Sequence, residues 1–129
     1  MSEPRRVITA PDAPAPVAAY SQAIASGGLL FCSGQIAIDP KTGEMVTGGI
    51  EAETERVIAN LTAVLAAAGA TLKDVLKTTI YLSDFSEFQA MNAVYVRAFP
   101  TEPPGRATVG VSALTSCAKI ELEARAGLP

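Results

Sequence analysis

The chain contains no histidine. Its absence removes the commonest general base and the commonest transition-metal ligand. Ser-His-Asp and Cys-His machinery cannot be assembled within one chain, and a zinc hydrolase has little to build on. Cysteine is scarce as well. Cys32 and Cys117 are the only two, and their separation matches neither metal-ligand spacing nor a disulfide framework. Both sit in apolar contexts and read as reduced, buried thiols. Basic charge is also in short supply. Ten Lys and Arg against thirteen Asp and Glu leave a net charge of −3. Bulk charge therefore offers no basic face to a phosphate backbone, and no nucleic-acid partner is expected. No apolar run approaches the ~20 residues needed to span a bilayer, so no membrane partner is expected. Met1 to Ala10 carries Arg5 and Arg6 without an apolar stretch behind them. No secretory leader is read there, and a cytoplasmic location is expected.

What is present suits one globular domain spanning residues 1–129. The chain has 129 residues, 49% of them apolar and 18% charged, enough for a single core and too apolar for disorder. Chemistry must rest on carboxylates, Arg, Lys, Tyr, hydroxyls or backbone groups, and neither a cofactor nor a metal is implied.

Periodicity gives the element order. A short strand near Val7 to Thr9 precedes an extended Pro/Ala-rich segment from Pro11 to Pro16. Tyr20 to Ala25 and Leu29 to Ser33 flank Ser26-Gly27-Gly28, which reads as a hairpin turn. Asp39-Pro40-Lys41-Thr42-Gly43 is a second turn. From Gly49 to Ala68 the period becomes helical. Ile50, Val57, Ile58, Leu61, Val64, Leu65 and Ala68 form the buried stripe, with Glu51, Glu55, Arg56 and Asn60 largely off it. Glu51, Glu53 and Glu55 suit the positive helix start, and Gly69 is a natural stop. Val75 to Ser83 is β-branched and strand-like. Ser86 with Gln89 resembles a capping box opening a helix that Pro100 ends. Arg106 to Val111 and Lys119 to Ala126 alternate as two last strands. Two helices cannot cover both faces of such a sheet, so they are expected on one.

Alternation in the last two strands assigns Ala107, Val109 and Val111, and Ile120, Leu122 and Ala124, to the apolar face. Arg106, Thr108 and Gly110, with Glu121, Glu123 and Arg125, then share a polar face that is either solvated or used. Arg106 follows the stiff Glu102-Pro103-Pro104-Gly105 segment. Its guanidinium can grip a carboxylate with two parallel hydrogen bonds, although a solvated arginine at a strand start is the commoner case. Glu121 can hold water near a reactive carbon, or simply pair with Arg125 or Lys119. If the last two strands form a symmetric hairpin, Gly110 lies opposite Glu121, with Arg106 about 14 Å along at ~3.4 Å per residue. One small molecule cannot then touch both within one chain, and a shared site would need a neighbouring subunit. Asn92 interrupts the stripe Phe88, Met91, Tyr95 and Phe99, where a structural tie to backbone is the favoured role. Tyr20 is a candidate pocket wall or ordinary core. Ser33-Gly34-Gln35 is a strand end where a ligand can approach backbone closely.

Taken together, several segments carry a more specific signal. They are Ala13-Pro14-Ala15-Pro16 with Tyr20-Ser21-Gln22, Ser33-Gly34-Gln35-Ile36, and Asn60-Leu61 with Leu65-Ala66-Ala67-Ala68-Gly69. Further on come Lys77-Thr78-Thr79-Ile80-Tyr81-Leu82-Ser83-Asp84, Met91-Asn92, Pro103-Pro104-Gly105-Arg106-Ala107-Thr108-Val109 and Lys119-Ile120-Glu121-Leu122-Glu123-Ala124. In this order and spacing the chain resembles the RidA/YjgF family, also called the L-PSP endoribonuclease family, along nearly its whole length. The resemblance implies an α+β, chorismate-mutase-like fold: a six-stranded mixed sheet with two helices on one face. It further implies a homotrimer around a central barrel, with ligand clefts between subunits. Members that keep the arginine hydrolyse reactive 2-imino and 2-aminoacrylate-type acids, such as 2-iminobutanoate and 2-iminopropanoate, to 2-oxo acids and ammonia. Carried over by position, Arg106 matches the carboxylate-binding arginine and Glu121 the acid that orients water. Tyr20, Ser33, Gly34, Asn92 and Thr108 match residues around the cleft. Thr108 stands where some members have cysteine, and Gly105 where alanine is common. A non-catalytic binding module at the same cleft, or a ribonuclease, is the alternative reading.

Overall fold

A computed structural model describes residues 4–129; Met1, Ser2 and Glu3, part of the segment read for a leader, lie outside the described residues. Eight elements follow in order: β1 (Arg6–Ile8), β2 (Ala23–Ser26), β3 (Leu29–Gln35), α1 (Gly49–Ala67), β4 (Val75–Leu82), α2 (Phe88–Ala98), β5 (Gly105–Gly110) and β6 (Ile120–Gly127). The strands form one six-stranded mixed sheet in the order β1-β2-β3-β6-β4-β5. No helix among the described residues is long and apolar enough to cross a membrane.

Local chemistry accounts for the boundaries. Gly27 and Gly28 both adopt positive φ in the tight β2–β3 turn, which side chains with a Cβ resist. α1 opens from a left-handed Gly48 with no side-chain cap and stops before Gly69. Ser86 does not open α2. Instead Asp84 accepts from the Ser86 backbone N–H and hydroxyl, capping a short 3₁₀ turn that leads into the helix. The shorter acid reaches the exposed amide first, so the expected Ser86–Gln89 box is not formed. Phe99, which precedes Pro100, leaves the helical region, as a residue before proline must.

The last two strands are not a hairpin. β5 runs parallel to β4, with Thr78 beside Arg106 and Ile80 beside Thr108. β6 lies antiparallel between β3 and β4. Strand–helix–strand connectivity through α2 seats β5 alongside β4, because a helical crossover brings the next strand back in parallel. The ~14 Å hairpin separation therefore does not apply.

The core lies between the sheet and the two helices. Leu61, Val64 and Leu65 from α1 and Met91 from α2 pack with Leu30, Ile80, Leu82, Ile120 and Leu122, all of them fully buried. Two polar residues that periodicity left outside this core are inside it. Asn60 is buried and donates to the carbonyls of Ile36 and Ile38 while its oxygen accepts from Arg56. Glu53 is buried and accepts from the Lys119 backbone N–H. Burial of a polar side chain is tolerated when a specific backbone group meets it, and periodicity cannot see that partner. Gln22 acts likewise, bonding Ala10 N–H and the Ala10 and Pro14 carbonyls to tie down the Pro/Ala-rich segment.

Alternation in β6 is as expected, with Ile120, Leu122 and Ala124 under the helices and Glu121 and Glu123 on the open face. In β5 it is inverted. Arg106 and Thr108 share the helix side with buried Thr78 and Ile80, while Val109 is 41% exposed on the open face. On an edge strand no second neighbour enforces burial, so apolarity is a poor guide to direction there.

Candidate active site

Arg106 is the centre of the first cluster. Lying at the sheet edge under α2, its guanidinium sits over the Tyr95 ring, 4.7 Å from the centroid, and 5.5 Å from that of Phe88. One Nη donates to Asn92 Oδ1 at 2.7 Å. Phe88, Asn92 and Tyr95 occupy i, i+4 and i+7 of α2, so one helix face supplies the whole seat. The Tyr95 hydroxyl is in turn fixed to Thr78, its 2.7 Å hydrogen bond being buried. Burial pushes the Tyr95 phenol above its usual range. Among the described residues no carboxylate pairs with Arg106. A half-buried guanidinium that is clamped, oriented and unneutralised is a ready receptor for an anion. Thr108, two residues along the same face, has a buried hydroxyl without a hydrogen-bond partner.

The second cluster is on the opposite face. β3 bulges between Cys32 and Gln35. The Ser33 hydroxyl donates to the Ser21 carbonyl at 2.6 Å and its N–H to the Gln22 carbonyl. Gly34 then passes so close to Glu121 that an added Cβ would collide with the carboxylate and lie 2.8 Å from its Cδ. Gly34 matters through space, not backbone angle: a Cβ there would push the Glu121 carboxylate aside. Across the sheet Tyr81 pairs with Glu121 and donates its hydroxyl to Glu123 at 2.6 Å. Burial, then the neighbouring Glu123, raise the Glu121 carboxyl above its usual range. An acid so poised is suited to exchanging protons with water.

A single chain therefore carries two separate halves, an unneutralised guanidinium seat and a raised carboxyl, divided by the sheet itself. Arg106, Asn92 and Thr108 are brought together on one side, and Ser33, Gly34 and Glu121 on the other. Tyr20 joins neither cluster; it is 45% exposed in the segment before β2.

Comparison with known proteins bears on what these halves serve. The family model described as Endoribonuclease L-PSP matches residues 10–128. The chain belongs to the RidA/L-PSP family. A RutC family protein of Pyrococcus horikoshii is 48% identical over 120 residues, covering 93% of this chain and 95% of that protein. A 2-iminobutanoate/2-iminopropanoate deaminase of Dermatophagoides farinae is 42% identical over 120 residues, covering 93% and 94%. The crystal structure of RidA from the Antarctic bacterium Psychrobacter sp. superposes with a TM-score of 0.92 at 37% identity, covering 95% of this chain and 99% of that one.

Within this RidA-type fold, sequence reasoning missed the aromatic seat. Phe88 and Tyr95 read as core, and the pattern favoured a backbone tie for Asn92, which only the family resemblance put near a cleft. The signal was present in the spacing, since an amide inside an aromatic stripe faces whatever the aromatics face. Only the parallel β4–β5 pairing shows that this is a guanidinium.

Proposed function

We propose that this chain is a deaminase hydrolysing small 2-imino acids, and the 2-aminoacrylate-type enamines that tautomerise to them, to 2-oxo acids and ammonia. Supporting it most directly is the Arg106 guanidinium, seated on Tyr95, bonded to Asn92 and lacking an acid partner among the described residues. Such a group suits the carboxylate that every 2-imino acid carries, held by two parallel hydrogen bonds. Deaminase-named relatives support the same reading.

The proposed chemistry balances without a cofactor. Water adds to C2 of the imine, its proton passing to the Glu121 carboxylate as the C–O bond forms. Glu121 returns that proton to nitrogen, giving a carbinolamine. The new hydroxyl then loses its own proton through Glu121 to the amine as the C=O forms and the C–N bond breaks, leaving a 2-oxo acid and ammonia. An imine is already electrophilic, so orientation and a positioned water supply most of what is needed. Arg106 and Glu121 face opposite sides of one sheet, and a substrate touching both therefore needs two chains. In the proposed assembly, a homotrimer, Arg106 of one copy meets Glu121 of a neighbour, with Tyr20, Ser33, Gly34, Asn92 and Thr108 completing the cleft. The exposed apolar residues Phe31 and Val109 on the open face suit burial against another copy. A cytoplasmic setting accords with this role.

The test is oxo-acid formation from enzymatically generated 2-iminobutanoate, with semicarbazide competing for the imine. Wild type should accelerate hydrolysis, and Arg106→Ala should not. No acceleration by wild type would leave a binding module as the reading to pursue.

A further inference from the structure

A cavity of about 340 Å³ opens where α1 meets the segments that follow β1 and β3. Its walls are Pro11 and Asp12, Asp39 to Lys41, and Arg56 of α1. Arg106 lies on β5, at the opposite edge of the sheet from β1, and neither it nor Glu121 lines this cavity. Arg56 is not a loose surface charge. Its Nε donates to Asn60 Oδ1 at 3.1 Å, and Asn60 is fully buried, its amide donating to the Ile36 and Ile38 carbonyls. The guanidinium is thus held along one edge, while its two Nη groups have no partner among the described residues. Both loops are fixed as well. Buried Gln22 bonds the Ala10 and Pro14 carbonyls, on either side of Pro11 and Asp12. Asp39 Oδ1 accepts from the Lys41 N–H at 2.8 Å, and the Asp39 carbonyl accepts from the Gly43 N–H at 2.8 Å. Pro11 and Pro40 stiffen the same walls. The cavity therefore carries two cations and two acids, yet no cation among them comes within salt-bridge reach of an acid.

We infer that this cavity binds a small zwitterion of the α-amino acid class, its carboxylate on Arg56 and Lys41 and its ammonium on Asp12 and Asp39. A bare anion would meet two acids, and a bare cation would meet Arg56 and Lys41. Only a ligand with both poles gains from every wall. The two Nη groups of Arg56 can take a carboxylate end-on through parallel hydrogen bonds. Because the walls are already tied in place, binding has little left to order. The volume is at the small end for ligand sites, which suits an amino acid with a short side chain. These residues come from α1 and two loops rather than from the open face, and the inference does not rest on the proposed deaminase activity.

Calorimetric titration of L-2-aminobutanoate into the full chain tests this, with butanoate and propylamine as probes carrying one pole each. Arg106→Ala serves as the background, so that the Arg106 seat takes no part. The amino acid should bind there, and each one-pole probe should bind at least roughly 10-fold more weakly. Arg56→Met and Asp12→Asn, each added to that background, should weaken L-2-aminobutanoate roughly 10- to 100-fold, the loss of a charged hydrogen-bond partner. The oligomer mass should not change. Asp12 is exposed, so its variant decides the matter should Arg56→Met fail to fold. The inference is overturned if Arg106→Ala alone abolishes binding, or if the two charge variants bind as their background does. Butanoate binding as tightly as the amino acid would also overturn it, leaving a plain anion contact. It is equally overturned if either variant lowers the oligomer mass, which would make the cavity a contact between copies.

Discussion

Arg106 is held by shape as much as by charge, and substitutions should separate the two. Arg106→Lys keeps the charge but loses the planar fork and its stacking on Tyr95. We expect kcat/KM for 2-iminobutanoate to fall roughly 100-fold, the scale of a small misplacement in a positioned site, with an unchanged circular dichroism spectrum. Normal turnover would remove the assigned role. Glu121 gives a sign that can be checked by pH. Its carboxyl is raised in the folded chain by burial and by Glu123, so the folded state resists ionisation that the unfolded chain undergoes near 4.5. Stability therefore declines as pH rises through that value and levels off above the folded one. Glu121→Gln should raise Tm at pH 7, the difference from wild type vanishing as pH falls below the usual carboxylate range. The same variant should be inactive, as expected where a site retains a destabilising charge for function. A Tm difference that persists at low pH would refute the titration argument.

At the scale of elements, buried polar ties decide whether strands and helices meet in register. Asn60 on α1 satisfies two carbonyls in the chain after β3. Asn60→Leu leaves both without a donor and should cost about 2–3 kcal/mol in urea unfolding. A value near zero would mean that water replaces the amide. The β3 bulge makes a second case, since Gly34 leaves space only for the Glu121 carboxylate. Gly34→Ala should displace that carboxylate and abolish activity while the chain still folds, which parallel assays of turnover and urea midpoint would show. Much of this level was legible from sequence. Helix α1, the β2–β3 turn and strand β4 follow from period and glycine placement. The Ser86 cap and the direction of β5 did not. Asp84 competes for the same amide, and an edge strand has only one neighbour to impose direction.

The sheet has one face covered by helices and one open, and the open face carries Phe31, Val109, Glu121 and Glu123. An antiparallel sheet tolerates a wet face, but exposed aromatic and aliphatic groups beside a raised acid suit an interface. We expect light scattering at micromolar concentration to give about three times the chain mass. Monomers alone would count against a site shared between copies. Arg106 and Glu121 provide the geometric reason, because a sheet separates them and no side chain reaches through it. The sequence reading also kept them apart within one chain, but through a hairpin that does not exist.

Sequence by itself determined the absent chemistry, the element order and the family, because each depends on residue types and their spacing along one line. The missing histidines narrowed the candidate reactive groups to carboxylates, Arg, Lys, Tyr, hydroxyls and backbone groups. Tertiary structure alone decided which residues meet. Arg106 found Tyr95, Phe88 and Asn92 through the parallel crossover of α2, and Gly34 found Glu121 through a bulge. Each of these contacts is set by strand order and register, which are properties of the assembled sheet and leave no local mark in the sequence.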